Sequence, residues 1–282
     1  MRSVTRRSAL AFLVLAALTS ASSWAGDVLY HFTTFDPPGA SQSAAFGINA
    51  AGTIVGGYLD QDGALHGYLL RRGSFTTIDV PDAANGSLAQ AINDRGQILG
   101  TFFDAAGNPN SYLLDRGTFT TLPVPGGSAS GINNRGQVVG SFSGAGYLLS
   151  DGVLTPIVVP GALSTGASGI NDSGVIVGRY VGQDFRIHGY IYSDGVFTTL
   201  DAPGAEVEAV GINNAGKVLG LYHQLGHHVR GFVYSNGTFT ILDVPGEVAA
   251  SATQPYGIND RGQVVGQVSD TAFNEHSFLG TP

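Results

Sequence analysis

Three histidines, His223, His227 and His228, crowd one short loop, and two glutamates, Glu206 and Glu208, stand in the link that enters the same stretch of chain. Imidazoles and carboxylates together are ligands for a divalent transition metal such as Zn²⁺. The set is therefore a candidate metal site, with His223, His227 and His228 as ligands, and no other cofactor is implied. Loop spacing is not diagnostic in the way a helical His-Glu-x-x-His is, and solvated loop side chains are the plainer account of the same residues. A second chemistry is glycoside cleavage, which needs two converging carboxylates. Glu206, Glu208, Glu247 and Glu275 are available, but the sequence sets no distance between them. Asp60-Gln61-Asp62-Gly63 matches only the opening of a Ca²⁺-binding loop and lacks the later ligands. No nucleophile elbow, phosphate loop or zincin motif occurs.

These residues sit on a repeated background. Ile-Asn recurs at Ile48-Asn49, Ile92-Asn93, Ile132-Asn133, Ile170-Asn171, Ile212-Asn213 and Ile258-Asn259, at steps of 44, 40, 38, 42 and 46. A period near 40 marks a repeat architecture. The units start near residues 44, 88, 128, 166, 207 and 254. Each carries four short apolar stretches, a to d, rich in Val, Ile, Thr, Phe and Tyr, with no helical periodicity. Asn-x-x-Gly stands between a and b, as in a type I turn followed by glycine. Asp151-Gly152, Asp194-Gly195 and Asn236-Gly237 stand between c and d, a strong hairpin signal.

Four antiparallel strands per unit of this length predict an all-β fold, a six-bladed β-propeller. The last unit stops after its c strand, and an unattached d-like strand occupies residues 28–36. The expectation is that this N-terminal strand completes the last blade and closes the ring, which otherwise leaves an unpaired edge.

Residues 1–25 read as a signal peptide. Arg2, Arg6 and Arg7 precede the apolar run Ala9–Leu18, and small residues surround a cleavage point after Ala25. Residues 26–282 then form one propeller domain, secreted or periplasmic. Thr5-Arg6-Arg7 also fits twin-arginine export. Losing the leader takes the formal charge from −8 to −11. An acidic chain without a basic cluster argues against nucleic acid as a partner. No other apolar run is long enough to span a membrane. There is no cysteine, and the one Trp, Trp24, lies in the leader.

The a–b and c–d spacings are constant between units, whereas the d–a and b–c connections vary in length. In a propeller the two variable connections emerge on one face, and variable loops on a rigid scaffold are where binding concentrates. The expected site is on that face, near the central channel, with a notch at the short b–c connection of unit three. His66, His188 and His276 share one repeat position that other units fill with Asn110, Ala145 and Arg230, so they read as structural. Tyr58, Phe102, Phe142, Tyr180 and Tyr222 close the b strands and read as packing between blades.

His66-Gly-Tyr68, His188-Gly-Tyr190 and His276-Ser-Phe278, each paired with Ile-Asn-x-x-Gly-x-(Val/Ile)-(Val/Leu)-Gly, resemble the bacterial extracellular HAF-repeat family over residues 28–280. The chain departs from it with Gly67, Gly189 and Ser277 in place of alanine. The resemblance implies export and a repeat fold, and it transfers no activity and no catalytic residue. The function expected is that of a non-catalytic propeller, a monomer that binds an extracellular protein or polysaccharide through its variable face. The alternatives are an extracellular hydrolase or lyase using the carboxylates or a metal there, and a structural envelope component.

Overall fold

The computed structural model describes residues 23–24, 30–81, 83–124, 126–202, 204–224, 229–242 and 253–282. Six sheets form the blades. Blade one is Ala40–Ile48, Ile54–Asp60, Leu65–Arg71 and Ser74–Ile78. Blade two is Ser87–Ile92, Ile98–Phe103, Pro109–Asp115 and Thr118–Thr121. Blade three is Ser128–Ile132, Val138–Phe142, Ala145–Ser150 and Val153–Ile157. Blade four is Ser164–Ile170, Ile176–Val181, Ile187–Ser193 and Val196–Leu200. Blade five is Ala205–Ile212, Val218–Gln224, Arg230–Ser235 and Thr238–Leu242. Within each blade the strands lie in the order a, b, c, d. Neighbouring a strands touch all the way round, the sixth against the first.

Blade six is built from both ends of the chain. Gln254–Ile258, Val264–Ser269 and Glu275–Thr281 supply a, b and c, and His31–Phe35 supplies d. The closing pair runs antiparallel from His31 opposite Thr281 to Phe35 opposite Ser277. The expected closure is therefore present. Ser23–Trp24, assigned above to the leader, adds a short parallel strand against Thr238 and Phe239 outside blade five. Among the described residues no helix is long and apolar enough to cross a membrane.

The turns follow from their residues. Asn133 Oδ1 accepts the amides of Arg135 and Gln137 at 3.0 Å each, while Gly136 takes φ of 79°. The turns at Asn49, Asn93, Asn171 and Asn259 repeat this pattern, and in the turn at Asn213 the side-chain oxygen accepts the Lys217 amide. Asp151 and Gly152, at φ of 51° and 78°, form the paired left-handed conformation of a tight hairpin.

The apolar-pair-Gly element has a packing cause. Gly56, Gly100, Gly140, Gly220 and Gly266 of the b strands lie beneath the c-strand aromatic of their own blade. A Cβ on Gly140 would strike the Ser128 carbonyl and come 2.7 Å from Tyr147 Oη. Tyr68, Tyr112, Tyr147, Tyr190, Phe232 and Phe278 are nearly or wholly buried there. The core then continues between blades: Ala45, Ile48 and Tyr68 of blade one share a cluster with Val265 of blade six. At that junction Ser43 Oγ bonds Asp36 Oδ1 and Ser277 Oγ at 2.7 Å, and Tyr68 Oη reaches Ser277 Oγ at 3.0 Å.

Candidate functional site

The axis is closed by its own hydrogen bonds. Each repeated Asn turns its amide nitrogen to the backbone carbonyl of the next Asn. The links are Asn49 to Asn93 (3.3 Å), Asn93 to Asn133 (3.0 Å), Asn133 to Asn171 (3.0 Å), Asn171 to Asn213 (3.2 Å) and Asn213 to Asn259 (2.9 Å). Asn259 returns to Asn49 at 3.0 Å and completes the ring. Outside it runs a belt of alternating carboxylates and amides: Asp94, Asn134, Asp172, Asn214 and Asp260, joined by amide-to-carboxylate bonds of 2.8–2.9 Å. Ala50 interrupts the belt.

Every a strand carries a bulge just before this ring, which turns Phe46, Gln90, Ser130, Ser168, Val210 and Tyr256 toward the axis. The channel is reduced to chambers of about 80 and 90 Å³. These hold water but no sugar ring or side chain of a partner. The expected site near the central channel is thus not where the space lies. At blade three the b–c connection is a two-residue turn, Ser143-Gly144, whose Gly144 carbonyl accepts the Thr165 amide of blade four.

Glu206, Glu208 and His223 do come together, on the face where the d–a and b–c connections emerge. Glu206 stands opposite His223 across the a and b strands of blade five. His223 Nε2 lies 3.4 Å from Glu208 Oε1, within reach of its charge but without hydrogen-bond alignment. Two arginines that the sequence did not single out join them from blade four. Arg179 Nη1 meets Glu208 Oε2 at 2.7 Å, and Arg186 Nε lies 3.8 Å from Glu206 Oε1. Burial pushes the Glu208 carboxyl up, but His223 and Arg179 outweigh it and hold the group below its ordinary value. Glu208 is thus kept ionised, which suits an ion pair between blades and not a general acid. His227, His228 and Glu247 lie outside the described residues. Among the described residues no cluster of His, Asp and Glu has the arrangement to hold a metal ion.

The repeated histidines prove to be clamps. His66 Nδ1 meets Asp79 Oδ1 at 2.9 Å and its Nε2 faces Asp60 Oδ2 at 3.4 Å. His188 sits likewise between Asp201 (2.8 Å) and Asp184 (3.2 Å), and His276 between Asp36 (2.8 Å) and Asp270 (3.4 Å). Each clamp ties the b–c loop to the end of the d strand. Tyr58 and Tyr180 stack on the His66 and His188 imidazoles, with centroids 5.1 Å apart, and both also pack against core clusters that span two blades, while Tyr222 is itself part of such a cluster. Phe142 is 40% exposed.

Asp79 is the largest influence on His66 and raises its pKa. Burial draws His188 and His276 down first, and the paired carboxylates more than reverse it. Hydrogen bonds from Asn274 pull Asp270 down to about 2. A raised histidine contributes stability that is complete below its unfolded value of 6.5 and is lost as pH climbs through the folded value. The lowered aspartates contribute above 3.8 and lose it as pH falls. The clamps therefore stabilise most between those limits. Replacing His66, His188 and His276 together by Asn is expected to lower the melting temperature more at pH 5.5 than at pH 8.5. An equal loss at both would refute charge as their contribution.

Two loop tips stand out on the same face. Phe185 and Phe273 are 81% and 68% exposed, at φ of 61° and 65°. The equivalent places in blades one and two are Gly63 and Gly107, both at φ of 81°. Glycine takes this conformation freely, whereas a residue with a Cβ pays about 1–2 kcal/mol.

A cavity of about 530 Å³ opens on this face between blades one and two. Its walls are the b–c loop at Gly63–His66 and the d–a link around Asp79–Ser87.

The architecture defines a six-bladed β-propeller closed by strand exchange between the chain ends. No family model matches the sequence, and a comparison with curated proteins finds no match. Solved structures share the fold. AofleA from Arthrobotrys oligospora superposes with a TM-score of 0.54 at 12% identity, over 92% of this chain and 89% of that one. A fucose-specific lectin from Aleuria aurantia gives 0.53 at 12% identity, over 88% and 93%. A puromycin-hydrolyzing peptidase of Mycobacterium tuberculosis gives 0.52 at 12%, covering 88% of this chain but 53% of its own. At such identities the likeness concerns the fold alone.

Proposed function

We propose that the chain is an exported, non-catalytic propeller that binds a glycan or a protein through the d–a/b–c face; the HAF-repeat resemblance supports only the export. Phe185 and Phe273 carry this reading. Two exposed aromatic rings are held in a disfavoured backbone conformation at places where sister loops use glycine, and retained strain of this kind gathers at ligand clamps. The ionised, arginine-paired Glu208 is unsuited to act as a general acid there. Glycans are the first ligands to test, since propellers of this shape include a fucose-specific lectin.

The test is a screen of the protein against an immobilised panel of neutral and acidic glycans, with a parallel assay for released fragments. Saturable binding without fragments is expected. The Phe185→Gly/Phe273→Gly double variant should bind at least about tenfold more weakly, a loss of about 1.4 kcal/mol or more. It should also melt no lower than the parent, because the change relieves strain. Undiminished binding by this variant, or fragment release, would overturn the reading.

A further inference from the structure

The cleft between blades one and two has the build of a preformed pocket. Its d–a link is longer than those after blades two and four. Both ends of the link are pinned. The Asn85 amide donates to the Phe103 carbonyl at 3.3 Å, and the Phe103 amide donates to the Gly86 carbonyl at 3.0 Å. Ser87 Oγ donates to the Ile78 carbonyl at 3.2 Å. Gly86, at φ of 84°, seats the link against Leu65; a Cβ there would come 2.8 Å from Leu65 Cβ. The opposite wall is held by the His66 clamp and the Tyr58 ring stacked on it. Neither wall has to order itself when a ligand enters, which removes much of the cost of binding.

The lining has two characters. Leu65, Val80 and Ala84 give an aliphatic surface, while His66, Asp79 and Asn85 give polar groups around it. Asp79 uses Oδ1 for His66, and its Oδ2 makes no hydrogen bond to a described residue. Asn85 commits its amide nitrogen to the Asp104 carbonyl, leaving its Oδ1 as an acceptor. The polar side is thus rich in acceptors and suits a ligand that donates. Asp60 and Asp79 flank one imidazole at the wall of the cleft, which disfavours anions. About 530 Å³ lies in the range of small-ligand pockets.

We propose that this cleft is a binding subsite for a neutral sugar residue, whose hydroxyls donate to Asp79 and Asn85 and whose C–H face rests on Leu65, Val80 and Ala84. The inference rests on the glycan-binding reading and deepens it.

Methyl-labelled full-length protein is titrated with methyl α-L-fucoside, methyl β-D-galactoside and methyl α-D-glucoside, with glucuronate as the anionic control. Shifts are expected at the methyl groups of Leu65, Val80 and Ala84 with at least one neutral glycoside, and none with glucuronate. Ala84→Trp fills the cleft from an exposed link position, and Asp79→Asn removes the charge of the acceptor. Each should weaken that response at least about tenfold, with the melting temperature of Ala84→Trp matching the parent. Shifts confined to the Phe185 or Phe273 loops, or full affinity in Ala84→Trp, would overturn the cleft while leaving the wider reading intact. No response to any sugar, together with no binding to the immobilised panel, would overturn both.

Discussion

A chain that begins at Ser41 is expected to melt about 10 °C or more below one that begins at Gly26, or to fail to fold. The missing piece is the d strand of blade six. It carries the ladder to Glu275–Thr281 and three half-buried aromatic side chains. Tyr30 and Phe32 stack at 5.9 Å, Phe32 meets Phe278 edge-on at 5.6 Å, and Phe35 faces Phe75 of blade one at 6.4 Å. Tyr30 Oη also bonds the Gly262 carbonyl at 3.1 Å. Burial of three such rings is worth roughly 1 kcal/mol or more each, since full burial brings 1.5–3. The sum, with the ladder, approaches the 5–15 kcal/mol that holds a whole domain. In a chain of this size each kcal/mol moves the midpoint by about 2–4 °C. Calorimetry decides the matter, and equal midpoints would mean that closure contributes nothing. A synthetic peptide of residues 28–40 should restore part of the loss.

The second large effect belongs to the axis. Asn133→Ala removes the acceptor for the Arg135 and Gln137 amides and the donor for the Asn171 carbonyl at once. Asn133 is 3% exposed, so water does not replace these partners. Each buried group left without a partner costs about 1–3 kcal/mol. The expected result is a fall in melting temperature of about 10 °C. Asn133→Asp keeps both acceptor bonds and loses the link to blade four, so it should cost roughly a third to a half as much. If the two variants melted alike, the turn and not the ring would be what Asn133 holds.

Much of this was legible in the chain. The period gave the blades, Asn-x-x-Gly and Asp-Gly gave the hairpins, and the unattached strand near His31 gave the closure. The Asn ring escaped notice because a turn already explains an asparagine; its second bond crosses 38–46 residues, and 210 at the closing link, and shows no local trace. The bulge before each Ile-Asn was hidden because it breaks the two-residue alternation that marks a strand.

The histidine clamps did leave a signal. His66 and His188 are each followed thirteen residues later by Asp79 and Asp201, and Arg230 by Asp243. Asn110 and Ala145 are followed by Pro123 and Val158. Variation at the histidine position looked like indifference, yet it tracks its partner. Of the candidate site, Glu206 and Glu208 were read in the d–a link and His223 in the b–c loop, whereas they lie in the a and b strands of blade five, which extend further than the apolar residues alone mark. Arg179 and Arg186 were missed because they come from the neighbouring blade, and nothing in one repeat reports on the next.

Closure also has a consequence in time. His31–Phe35 is among the first segments of the ring to leave the ribosome, and its partner, Glu275–Thr281, is the last. No ring exists until that partner strand has been made, and until then the first strand travels as an open edge that any other strand can pair with. Loss of the final residues is therefore equivalent to loss of the first. A message that stops one strand early yields an unsealed arc, not a slightly shorter propeller.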